Sequence, residues 1–114
     1  MLEQTNVVDA AGIDVATGEL VLTLTDAWSW SAGEEGEHLR LLQQKLNTYL
    51  AAIESGEILE SMRERTGKLI DASTPTRIDV YFRFPPSSLG DRFMKSVEKV
   101  ITAVSIGFRC IVHR

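Results

Sequence analysis

The sequence predicts an α+β fold, a two-layer sandwich of order ββαβαβ with two helices packed on one face of a four-stranded sheet. Two observations carry this. Three stretches, Leu20–Thr25, Arg77–Phe84 and Phe108–His113, alternate apolar and polar residues with the period of a strand, and two stretches, 31–55 and 88–107, repeat apolar residues at spacings of three and four. Four strands with one apolar face each and two helices with one apolar stripe each pack most economically as two layers around one core.

The first 26 residues read as a hairpin. Val7, Val8, Ala10 and Ile13 lead into a turn, Asp14-Val15-Ala16-Thr17-Gly18, and Leu20, Leu22 and Leu24 follow on one face of the return strand, with Val21, Thr23 and Thr25 on the other. Gly12 marks a candidate bulge. Ser31-Ala32-Gly33-Glu34 has the capping-box spacing, and Leu39, Leu42, Leu46, Tyr49, Leu50 and Ile53 form the stripe of a helix closed by Gly56.

Residues 57–75 give the least. Ile58, Leu59 and Met62 fit a short helical turn broken by Gly67, and the rest has loop composition. Beyond it, Ile78, Val80, Phe82 and Phe84 are assigned to the core, with Arg77, Asp79, Tyr81 and Arg83 facing away. Pro85-Pro86 ends that strand, and Ser87 or Ser88 caps a helix burying Leu89, Phe93, Val97, Val100, Ile101 and Val104, ended by Gly107. In the last strand Phe108, Cys110 and Val112 point inward, and Arg109, Ile111 and His113 outward. The strands flanking the second helix are either parallel neighbours or separated by a hairpin strand.

At 114 residues there is room for one domain, residues 1–114. A single cysteine excludes an internal disulfide, no apolar run approaches the roughly 20 residues of a membrane span, and Met1-Leu2-Glu3-Gln4 lacks the basic start of a secretory signal. A cytoplasmic location without membrane contact is therefore expected. Charge is divided along the chain: residues 1–60 hold eleven acids and two bases, residues 61–114 ten bases and five acids. Interleaving the halves in one domain turns much of this into internal ion pairing.

The run from His38 through Ile58, with Glu37, the opening Glu3-Gln4-Thr5-Asn6-Val7-Val8-Asp9, and the pieces Gly12-Ile13-Asp14 and Thr17-Gly18-Glu19 resemble a family of small bacterial proteins of unknown function. The resemblance implies a cytoplasmic bacterial domain and no particular chemistry.

Three constellations stand out. Asp26, Glu34, Glu37 and His38 gather near the start of the first helix, where Glu34 and His38 lie one turn apart and could present two metal ligands. One histidine among carboxylates is a thin ligand set, so this supports only an alternative, metal-dependent enzyme, and no cofactor is expected. Trp28 and Trp30 either lid the core or expose a ring as a binding anchor. The outer sheet face would gather Tyr81, Arg83, Arg109 and Ile111 with Arg77, His113, Val21, Thr23 and Thr25. Its basic residues permit RNA binding as a second alternative, but one tyrosine and a pI near 5.1 argue against a nucleic-acid partner. The favoured expectation is a non-enzymatic protein-interaction domain, a homodimer or an immunity- or inhibitor-like partner of another protein. Trp28, Trp30, Tyr81, Arg83, Arg109 and Ile111 form its candidate surface. No set of nucleophile and base is apparent, and Cys110 is expected to be buried and inert.

Overall fold

The computed structural model describes residues 2–67, 70 and 73–112. In chain order the elements are β1 (Ala10–Ile13), β2 (Leu20–Asp26), α1 (Glu35–Glu54), α2 (Glu57–Thr66), β3 (Thr76–Phe82), α3 (Ser88–Ala103) and β4 (Gly107–Val112). The four strands form one sheet in the order β1-β2-β3-β4. β1 and β2 are antiparallel, whereas β2, β3 and β4 run parallel, so β3 and β4 are direct neighbours across α3.

The alternation in β2 and β3 decides where the core lies. Leu20, Leu22 and Leu24 of β2 and Ile78, Val80 and Phe82 of β3 are almost completely buried, and they meet Leu42, Leu46 and Tyr49 of α1 and Met94 and Ile101 of α3. Successive parallel crossovers that advance in one direction across a sheet place their helices on the same side. Burying one such aliphatic side chain stabilises the fold by about 1.5–3 kcal/mol before its entropy loss.

The hairpin turn forms as its residues dictate. Asp14 Oδ1 accepts from Ala16 N–H, Asp14 O accepts from Gly18 N–H at 2.7 Å, and Gly18 takes φ +76°, where a Cβ would be strained. Gly12 pairs in regular register with Val21, so no bulge is present.

Several expectations are corrected. α1 starts after Glu34, whose side chain makes no cap; Ser31 instead offers its carbonyl to the N–H groups of Glu34 and Glu35, a turn that replaces the capping box. The short helical turn expected around Ile58, Leu59 and Met62 is a full additional helix over residues 57–66, bracketed by the left-handed Gly56 at φ 77° and Gly67 at φ 66°. Part of the remaining stretch, residues 68, 69, 71 and 72, lies outside the described residues, as does the outward assignment of His113. α3 is capped by Ser87, whose Oγ accepts from Gly90 N–H at 3.1 Å. It ends at Ala103, ahead of Ser105 at φ 64°, and Gly107 opens β4 instead of closing the helix.

The burial assignments need four changes. Phe84 lies beyond the end of β3 and is 42% exposed, with the Arg83 guanidinium 5.5 Å from its ring. Leu89, Val100 and Val104 are exposed, since α3 turns only Gly90, Met94 and Ile101 fully onto the sheet. Cys110 shares the helix-side face with Phe108 but sits on the edge strand and is exposed. Arg77 and Asp79, expected to face solvent, are buried on the outer face.

Polar side chains of α1 hold the segment before β1. Lys45 is completely buried and donates to Gln4 O at 2.8 Å and Asp9 Oδ1 at 2.7 Å. Thr48 Oγ1 donates to Thr5 O, and Tyr49 O–H donates to Thr23 O at 2.7 Å while accepting from Asp9 N–H. Burial would raise the Asp9 carboxyl, but the Lys45 ammonium holds it below the usual range.

Candidate functional site

The end of β2 delivers Asp26 to the first turns of α1, and there it meets His38. Both are buried, at 1% and 0% exposure, with His38 Nε2 2.5 Å from Asp26 Oδ2. The second carboxylate oxygen accepts from Trp28 N–H at 3.0 Å. His38 Nδ1 lies 2.9 Å from Ser29 O, and because a carbonyl only accepts, Nδ1 carries a hydrogen. One further proton therefore lies between Nε2 and Oδ2, and the pair is neutral as a whole wherever that proton resides. Desolvation raises the Asp26 carboxyl above its ordinary value, against the opposing hydrogen bonds from His38 and Trp28. With both ring nitrogens committed inward and no exposed surface, His38 holds the β2–α1 connection together and has no free nitrogen to offer a substrate.

The two tryptophans cover this pair differently. Trp30 stacks on the imidazole, centroids 3.7 Å apart, while Trp28 is tilted at 6.0 Å and donates its Nε1–H to Glu3 Oε1 at 2.5 Å. Both rings are half-buried and pack against the core. The Trp30 ring then reaches α3, where a Cβ at Gly90 would lie 2.5 Å from Cζ3 and 2.8 Å from Cη2. An indole is thus interposed between His38 of α1 and Gly90 of α3. Placing alanine at Gly90 is expected to cost about 1–3 kcal/mol, although an unconstrained helical glycine would gain up to about 1 kcal/mol from the same change. Urea unfolding of Gly90→Ala checks this, and a variant more stable than the parent would show that the ring is free to move.

Of the sequence-derived metal candidates, Asp26 and His38 meet, whereas the exposed Glu37 pairs with Arg40 and Glu34 stays exposed at the helix start. Among the described residues no three His, Cys, Asp or Glu side chains are grouped to hold a metal ion.

Farther along the helix layer, α1 and α3 separate and leave an open groove of about 290 Å³. Gln43, Leu46, Asn47 and Leu50 form its α1 wall, and Phe93, Ser96, Val97, Val100 and Ile101 its α3 wall. None of these is charged. Val100 is 61% exposed, and Val104 and Leu89 extend the apolar stripe of α3 beyond the groove at either end. Sequence pattern marked the α3 residues as apolar but assigned them to the core, and the α1 wall was not singled out.

On the outer sheet face the candidates have other partners. Asp79, 2% exposed, is gripped by Arg77 at 2.8 Å and by Arg109 at 2.9 and 3.1 Å, and Arg77 also reaches Glu19 at 2.6 Å and Asp14 at 3.2 Å. Burial opposes ionisation of Asp79, but the two guanidinium groups bring its carboxyl below the ordinary range. Three carboxylates thereby neutralise Arg77 and Arg109, two of the arginines on which a phosphate-binding face would depend. Tyr81 and Ile111, adjacent in the ladder, are half-buried, and Arg83 is exposed past the strand end. Cys110 lines a second groove with Lys95 and Glu98, where partial desolvation, Glu98 and Asp91 push its thiol up to about 11.

No described helix is long and apolar enough to cross a membrane. Neither the curated proteins nor the solved structures include a match to this chain. A family of unknown function, DUF6572, matches residues 1–114, the whole of the sequence, and the chain belongs to that family.

Proposed function

We propose that this domain acts by binding protein through its helix layer. The observation that carries the proposal is the uncharged α1–α3 groove, bordered by a stripe of exposed valine and leucine on α3. A quarter of the chain's residues are charged, yet none lines the groove itself, and a floor depleted of charge characterises interface cores. The helix layer replaces the outer sheet face as the favoured surface because Arg77 and Arg109 are already engaged by Asp79. Trp30 contributes from the end of the groove, lying between His38 of α1 and Gly90 of α3, while Trp28 is tied to His38 and Glu3.

A photo-crosslinking residue placed at Val100 is the direct test, in the cells that make the protein. A discrete protein adduct is expected at Val100, absent when the crosslinker is moved to the exposed Thr102 and lost when Val97→Glu is added on the groove wall. Equal labelling at both positions, or none at either, would overturn the assignment.

A further inference from the structure

The Trp30 ring separates α1 from α3 at one end of the layer, and the groove opens beyond it along the facing turns of the two helices. Leu89 through Val104 spans about 22 Å at the helical rise, enough to seat four turns of a partner helix. The floor is apolar, with Leu46 and Ile101 buried and Val97 and Phe93 half-buried.

The two rims differ in charge. On α3, Arg92 and Lys99 flank Ser96 at one helical turn on either side and share one face of the helix. Both are exposed, and neither has an ion-pair partner among the described residues, whereas neighbouring Lys95 is paired with Asp91. Within the groove the α1 rim offers the neutral amides of Gln43 and Asn47, and beyond it, beside Val104, the exposed carboxylate of Glu54. A ligand lying in the groove meets apolar side chains below, cations along the α3 edge and amides along the α1 edge, with one carboxylate, Glu54, only at the Val104 end.

Resting on the protein-binding proposal above, we infer that the occupant is an amphipathic helix with an apolar face and acidic residues along one flank. Its aliphatic side chains at i, i+3, i+4 and i+7 fill the floor, and its carboxylates lie beside Arg92 and Lys99, fixing its direction in the groove. A second copy of this chain inserting its own α3 is disfavoured by the same residues, because a two-fold arrangement brings both pairs of cations along one seam.

Two synthetic helical peptides with the same leucine face, one flanked by glutamate and one by lysine, distinguish these cases when titrated against the full chain by fluorescence anisotropy. The glutamate peptide is expected to bind about tenfold more tightly, with the preference shrinking at 0.5 M salt and vanishing in the Arg92→Glu/Lys99→Glu variant. Both substitutions fall on exposed positions, and circular dichroism confirms that the variant is folded. Val97→Glu is expected to remove binding of both peptides. Equal affinities, preference for the lysine peptide, or binding of neither would overturn the inference. So would sedimentation of the free chain as a dimer that Val100→Glu dissociates. Failure of both peptides alongside a discrete Val100 adduct refutes the acidic helix alone, whereas failure of both measurements refutes protein binding through this face.

Discussion

His38→Ala is expected to lower the unfolding free energy by about 3–5 kcal/mol near neutral pH, measured by urea denaturation. Three losses combine. The Asp26 carboxyl remains buried without its charged or proton-sharing partner, the Trp30 ring loses the surface it stacks on, and a cavity opens between β2 and α1. Asp26 is raised in the fold, so the stability linked to its protonation is complete below its unfolded value of about 3.9 and is lost as pH rises through the folded value. Removing His38 takes away a hydrogen bond that opposes the rise, so the penalty should be smaller at pH 4 than at pH 7. Asp26→Asn provides the contrast. Its Oδ1 still accepts from Trp28 N–H and its amide donates to the unprotonated Nε2 of the Nδ1–H tautomer, and the expected loss is below about 1.5 kcal/mol. A larger loss for Asp26→Asn than for His38→Ala would contradict the proton placement.

The second large effect is expected on the opposite side of the sheet. Asp79→Ala leaves the buried Arg77 with Glu19 and Asp14 but without the carboxylate two residues along β3, and releases Arg109. A broken buried pair costs about 3–5 kcal/mol, and the remaining carboxylates reduce this to about 2–3 kcal/mol. Asp79 is lowered in the fold, so its contribution is present above the unfolded value of about 3.9 and disappears as pH falls through the folded one. The variant should therefore show a shallower loss of thermal stability between pH 4 and pH 2 than the parent. An unchanged acid limb would mean that Asp79 does not ionise in the fold.

The sheet core was legible because β2 and β3 alternate without interruption, and pleating turns that alternation directly into two faces. α2 was legible only as a short turn ended by Gly67; its full length was not, because ten polar-rich residues between two glycines resemble a broken segment in composition. Burial of Lys45 and His38 escaped a reading based on polarity, since each is satisfied by residues distant in sequence or by backbone carbonyls. The α3 stripe was read correctly as helical, and Ile101 with half-buried Phe93 and Val97 does pack on the core, but Leu89, Val100 and Val104 were wrongly read as interior. A single helix against β3 and β4 buries only the sector centred on Met94 and Ile101, and no described element covers the rest. Proximity of Asp26, Trp28, Trp30 and His38 followed from their spacing around one connection. The groove did not, because it depends on how far an indole wedge separates two helices.

The pairing of β2 with β3 begins at Leu20 and Thr76, partners separated by α1 and α2. During synthesis the hairpin and α1 leave the ribosome well before the strand that completes the sheet exists, so β2 waits with one backbone edge bare. That waiting stretch belongs to the acidic part of the chain, residues 1–60, with eleven acids against two bases. Like charge on two such stretches opposes the pairing of their bare edges, an opposition that ends once the basic second half is joined to each.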